Sequence, residues 1–219
     1  MSKIKNTVIA CVYGIPGAGK TYLINSLLNY FNTCTNLETK VVLEPVEKFE
    51  RFFHNGRFYL PFKEFSINPK RAALAIQMHI LCTVSYELRS ALIDAQNFDI
   101  ILLDRDLTSC KIFSHLLFNK GYLNDFELAS LEHAIDKLIL ELPETDLNIF
   151  LDTPVEICSQ RIQARSRLGE QDFTTTQYLS DLRKCHIHFS NKETHTANSE
   201  SDVLKIIMEK ILSKGKSTH

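Results

Sequence analysis

Gly14-Ile15-Pro16-Gly17-Ala18-Gly19-Lys20-Thr21 lies between an apolar run, Val8 to Tyr13, and an amphipathic stretch that opens at Lys20. The pattern is GxxxxGK[ST] in a strand–loop–helix setting. Its glycines let backbone N–H groups turn inward around phosphate oxygens, and the following helix N-terminus adds partial positive charge. Lys20 is placed to reach the β- and γ-phosphates, and the Thr21 hydroxyl to meet Mg²⁺. Strand, spacing, lysine and threonine together exceed what a chance glycine turn supplies. The stretch predicts a nucleoside triphosphate site, with Gly14, Gly17, Ala18, Gly19, Lys20 and Thr21 as its phosphate cradle.

Outward from this loop, short apolar strands alternate with longer helical patterns, the signature of a parallel sheet covered by helices. The strands are expected at Thr7–Tyr13, Lys40–Leu43, Ile100–Leu103, Leu147–Leu151 and, weakly, Thr194–Ala197. Asn68-Pro69 reads as a cap with proline at the first helical position, opening a long helix to about Ala95. Helices are expected over 107–119 and 125–141, the second with an Asn124/Glu127 capping box. Thr153-Pro154 with Glu156 predicts another capped helix, and 177–189 and a C-terminal helix from Asp202 complete the pattern. The absence of repeats or low-complexity linkers points to one domain over 1–219.

Composition narrows the function classes. In 219 residues, Lys+Arg 25 against Asp+Glu 26 gives a net charge of −1, so no bulk charge announces a nucleic-acid or membrane-surface partner. A hydrophobic content of 44% fills a core and excludes a disordered chain. No apolar run approaches the ~20 residues that cross a bilayer, and the first apolar stretch lacks signal-peptide architecture. The six cysteines form no CxxC pair, which argues against zinc and for reduced thiols in a cytoplasmic protein.

Four further features carry chemistry. The strand Ile100–Leu103 delivers Asp104-Arg105 at its carboxyl end, where ligands of open α/β sheets collect. There Asp104 can hold Mg²⁺ and Arg105 can neutralise phosphate charge, although a strand-end salt bridge would look the same. Glu44, also at a strand end and fixed by Pro45, can accept a proton from a substrate hydroxyl. Arg161 and Arg165 share a helix face, with Arg167 just beyond, and like charges so placed repel unless an anion gathers them. A lid at about 161–176 closing these arginines on a phosphoryl group fits that spacing. Gln77 interrupts the apolar stripe of Ala73, Ile80 and Val84, and a buried amide can donate to and accept from a base edge.

Together these pieces resemble the deoxyribonucleoside kinase family: the glycine loop, Glu44-Pro45-Val46-Glu47-Lys48, Gln77 on its helix, Asp104-Arg105, and Asp152-Thr153-Pro154 leading to the arginines and Glu170. The resemblance spans about residues 7–190. It implies a three-layer P-loop kinase fold with a central five-stranded parallel sheet and an arginine-rich lid. It implies transfer of the γ-phosphate of ATP, with Mg²⁺, to the 5′-hydroxyl of a deoxynucleoside. Glu44 would be the base, and Arg105 would orient it and the hydroxyl. Gln77 would pair with the nucleobase and Glu170 with the sugar 3′-hydroxyl. Arg161, Arg165 and Arg167 would meet donor phosphates. Phe49, Ile80, Val84, Cys110 and Phe113 would complete the nucleoside pocket, and the long central helices would form a homodimer.

The sequence departs from the family pattern where Phe49 replaces a tryptophan, Ser66 a tyrosine, Asp106 a serine and Gly169 a glutamate. At the positions matching Val84 and Cys110, deoxycytidine kinases carry an arginine and an aspartate. Small uncharged residues there leave room for a thymine methyl, so pyrimidines, with thymidine among them, are the expected substrates. Thymidylate kinase is the nearest rival, but it carries Arg-Glu-Pro-Gly-Gly-Thr where this chain has Leu43-Glu44-Pro45-Val46. A noncatalytic family member is the other alternative, against which Lys20, Glu44 and Arg105 argue.

Overall fold

The computed structural model describes residues 7–165, 167, 169–190 and 194–216. Five strands, β1 (Val8–Tyr13), β2 (Thr39–Val42), β5 (Ile100–Asp104), β6 (Leu147–Leu151) and β7 (Thr194–Ala197), form a sheet in the order β2-β5-β1-β6-β7. Every neighbouring pair is parallel. Period-two alternation divides β1 between two cores. Val8, Ala10 and Val12 face α1 (Lys20–Cys34), α7 (Val155–Arg165), α9 (Thr176–Phe189) and α10 (Glu200–Lys216). Ile9, Cys11 and Tyr13 face α4 (Pro69–Leu92), α6 (Asp125–Ile139) and the first turn of α5 (Leu107–Asn119). Helices on both faces of a fully parallel sheet make the three layers expected from the alternation.

The caps are largely those the sequence implies. Asn68 accepts from the Arg71 amide above Pro69, and Asn124 and Glu127 complete their reciprocal box. Thr153 behaves differently. Its hydroxyl donates to the Ala18 carbonyl at 2.8 Å, so a residue expected to cap α7 instead ties that helix's entry to the glycine loop.

Residues 46–67, left without elements by the sequence reading, fold into α2 (Val46–Glu50), a hairpin of β3 (Phe52–His54) and β4 (Arg57–Tyr59), and α3 (Pro61–Ile67). Asn55 and Gly56 both have positive φ, 47° and 77°, as a type I′ hairpin turn requires. Between α7 and α9 lies the one-turn helix α8 (Glu170–Phe173). Among the described residues, no helix is long and apolar enough to cross a membrane.

Candidate active site

Strand register brings the charged residues together. Val42 is level with Leu103 and Val12 with Asp104, so the chain leaving β2 places Glu44 beside Arg105, at the exit of β1 into the glycine loop. Arg105 Nη1 donates to both Glu44 carboxylate oxygens, at 2.7 and 2.8 Å, and Nη2 donates to the Gly14 carbonyl at 2.8 Å. One guanidinium thus links the strand-end acid to the loop. Burial pushes the Glu44 carboxyl up, but the charges of Arg105 and Lys20 outweigh it and hold the group below the usual carboxylate range. At neutral pH it is ionised.

Lys20 is 6% exposed and its Nζ reaches the Gly14 carbonyl at 3.3 Å. Burial first, then the positive charge of Arg105, lowers its pKa to about 8. A buried ammonium so weakly compensated is a receptor for anionic oxygen. The Thr21 hydroxyl donates to Asp104 Oδ2 at 2.6 Å, while buried Oδ1 has no partner among the described residues. Two hard oxygen donors with a spare carboxylate oxygen suit a hydrated Mg²⁺.

The loop leaves no room for a side chain at Gly14 or Gly17. A Cβ on Gly17, at φ +80°, would lie 2.4 Å from the Cys158 carbonyl oxygen of α7. Arg161 Nη1 donates to the carbonyls of Gly17 and Ala18, so this arginine packs on the cradle from outside. Arg165 and Arg167 line the cavity beyond it. Ser166 and Leu168, within the expected lid, lie outside the described residues.

The cavity, of about 230 Å³, runs from Lys20 and Thr21 past Glu44 and Arg105 to an apolar end. One side of α4 contributes Gln77, Ile80 and Val84, and one side of α5 contributes Ser109, Cys110 and Phe113. Gln77 is 5% exposed and its Oε1 has no partner among the described residues. Phe113 lies under the Arg105 guanidinium, 5.2 Å from the ring centre. Burial pushes the Cys110 thiol up to about 12, so it meets a ligand neutral.

Glu170 and Arg165 pair with each other, Arg165 Nε donating to Oε2 at 3.0 Å. Ser66, at the position of the family's tyrosine, bonds the Lys63 carbonyl and does not line the cavity. Phe62 and Phe65 line it instead, with Phe62 edge-on to Phe49. Their i, i+3 spacing after Pro61 was the available signal.

Comparison with known proteins identifies the family. The sequence matches the deoxynucleoside kinase family over residues 10–218. The chain belongs to that family. A deoxyguanosine kinase from Dictyostelium discoideum is 29% identical over 193 residues, which is 86% of this chain and 61% of that protein. The family chain thus spans less than two thirds of that relative's length. The fold matches a deoxyadenosine kinase from M. mycoides solved with dCMP and a flexible dCDP, at TM-score 0.71 and 19% identity, covering 94% of this chain and all of that one. The same enzyme solved with dATP matches at TM-score 0.70 and 19% identity, over 93% and 98% of the two chains.

Proposed function

We propose that this family member is an ATP-dependent deoxynucleoside 5′-kinase working as a single domain, with pyrimidine deoxynucleosides, thymidine among them, as acceptors. The observation that carries the reading is the Glu44–Arg105 clamp opposite Lys20 in one cavity. A hydroxyl held there has a carboxylate on one side and a buried cation receptive to phosphate on the other.

In this reading the 5′-hydroxyl donates to Glu44 and its oxygen attacks the γ-phosphorus. The bond to the bridging oxygen of the leaving ADP breaks, and the hydroxyl proton passes to Glu44. A carboxylate of low pKa suffices because the phosphoryl transition state is loose and the proton moves late. Arg105 keeps Glu44 aimed, and its Nε, buried without a partner among the described residues, is free to meet a substrate oxygen. Lys20 stabilises charge on the transferring group, while Arg161, Arg165 and Arg167 gather the donor phosphates. Thr21 and Asp104 would hold Mg²⁺, which neutralises β- and γ-phosphate charge when bound. Glu170 would exchange Arg165 for the sugar 3′-hydroxyl as the lid closes.

Gln77 supports base pairing at the apolar end of the cavity. Val84 and Cys110 are both buried and uncharged there, which favours a thymine methyl, and Ile76, Ile80 and Phe113 narrow the space for a purine. A homodimer would bury Met78, Cys82 and Tyr86, which form one exposed stripe along α4. Free cysteines suit a cytoplasmic, reducing setting.

The test is transfer of labelled γ-phosphate from ATP to thymidine, deoxycytidine, deoxyadenosine, deoxyguanosine and dTMP, with light scattering for the oligomer. Transfer to the pyrimidine deoxynucleosides is expected. Transfer to dTMP alone would indicate a thymidylate kinase, purine preference would overturn the pocket reading, and no transfer would leave a noncatalytic binder.

A further inference from the structure

Among the described residues, Arg105 is one of two non-glycine residues with positive φ, at 69°. Holding a side-chain-bearing residue in the left-handed region strains the backbone and persists only where the surroundings over-determine it. The other such residue, Asn55, sits in an exposed hairpin turn of a type asparagine tolerates. Arg105 is buried and nothing about arginine favours the conformation. Its neighbours must impose it.

The next residue does so. Asp106 caps α5, Oδ1 accepting from the Thr108 amide at 2.8 Å. Its Oδ2 accepts from the Tyr13 hydroxyl at 2.7 Å. Tyr13 is the last residue of β1, immediately before Gly14, whose carbonyl holds both Arg105 Nη2 and Lys20 Nζ. On its far side the Tyr13 hydroxyl lies 3.3 Å from Asn148 Oδ1 on β6. A single hydroxyl therefore connects the residue that opens the phosphate loop, on the buried strand β1, with the half-buried residue that follows the clamping arginine and caps α5. Tyr13 does not line the cavity, so it acts through its neighbours.

We propose that Tyr13 and Asp106 are a positioning pair: their hydrogen bond fixes the spacing between the phosphate loop and the Glu44–Arg105 clamp, and with it the alignment of the hydroxyl against the γ-phosphate. The inference rests on the kinase reading above. It concerns geometry between the two substrates and not the affinity for either, which separates it from a structural brace.

Tyr13→Phe removes the hydroxyl and leaves the ring, the Asp106 cap and every cavity residue in place. Misalignment of reacting groups by a fraction of an ångström to 1 Å lowers rates by up to about a hundred-fold, so kcat should fall about ten- to a hundred-fold. Affinities for ATP and deoxynucleoside, measured by calorimetry, should stay within about two-fold. Asp106→Asn keeps an oxygen for the cap and offers an N–H to the Tyr13 oxygen, so it should retain most of kcat; in the Tyr13→Phe background the same change should add nothing. A Tyr13→Phe protein with wild-type kcat and only a lowered melting temperature would reduce the pair to a brace and overturn the inference. Loss of substrate affinity in step with kcat would also overturn it. A wild-type protein without transfer to any deoxynucleoside would overturn the kinase reading, and this inference with it, whereas an active wild type confines failure to the pair.

Discussion

The two ends of the cavity are built in opposite ways. The phosphate end comes from eight consecutive residues at the junction of β1 and α1, with Arg161 packed on it from α7. The end proposed for the nucleoside is gathered from α2, α3, α4, α5 and α8, more than a hundred residues apart in the chain. Phosphate is the same in every donor, so a local backbone cradle is sufficient. A nucleoside must be read on its base, sugar and hydroxyl, and no short segment presents groups to all three.

That contrast ranks the effects of substitution. The largest is expected at the seam between the two ends. Glu44→Gln keeps shape and one acceptor but cannot take the hydroxyl proton, so kcat should fall by ~10²–10⁴ while deoxynucleoside affinity changes little. Steady-state kinetics beside calorimetry separates the two quantities. A kcat within a few-fold of wild type would make Glu44 a partner of Arg105 and nothing more.

The phosphate end should carry its cost in stability. With Lys20 at about 8 in the folded chain and 10.5 as its ordinary value, the unfolded state holds more protons between those limits. Stability of the unliganded protein should therefore rise as pH climbs from about 8 to about 10.5. Below pH 8 the charged, buried lysine costs its full penalty, about 3 kcal/mol by linkage. Lys20→Met should raise the unfolding free energy at pH 7 by that order and flatten the pH dependence. Denaturant melts at pH 7, 9 and 10.5 check it. An unchanged slope would mean that Lys20 is not penalised by burial.

Next in size is the loop's fit to α7. Gly17→Ala places a methyl against the Cys158 backbone in a left-handed conformation, a strain of about 1–3 kcal/mol. The melting temperature should drop and ATP affinity should weaken, with deoxynucleoside affinity preserved. Equal loss at both ends would show that the loop and the nucleoside pocket are one mechanical unit.

The same contrast explains what could be read from sequence. The glycine loop, its strand and its helix were legible because the whole motif is contiguous, eight residues between an apolar run and an amphipathic one. Glu44, Gln77, Asp104 and Arg105 were legible as strand-end and stripe-breaking polar residues, and all four line the cavity. The α2–hairpin–α3 wall was not, because strands of three residues carry too little alternation, although Asn55-Gly56 marked the turn. Thr153 had the chemistry of a cap and spends it on Ala18, and Arg165 with Glu170 satisfies itself inside the lid. Asp106 looked like a departure from a family serine. Its partner Tyr13 is 93 residues away, a distance that no local pattern spans.

The smallest expected effect is the choice between thymidine and deoxyuridine, which differ by one methyl. Val84 and Cys110 leave this end of the cavity apolar and uncharged, and in the proposed reading Gln77 holds the base in plane. Burying a methyl contributes about 0.8 kcal/mol, and hydrophobic discrimination of this kind is intrinsically modest. Thymidine should therefore exceed deoxyuridine in kcat/KM by about four-fold, the ratio that this free energy corresponds to. The difference should lie in KM, since the methyl is remote from the reacting atoms and is felt equally in the ground and transition states. Val84→Arg with Cys110→Asp puts charge where the methyl would sit and should reverse the order, while leaving ATP affinity untouched because the phosphate end is built from other residues. Undiminished thymidine turnover by that double variant would place the methyl elsewhere in the cavity.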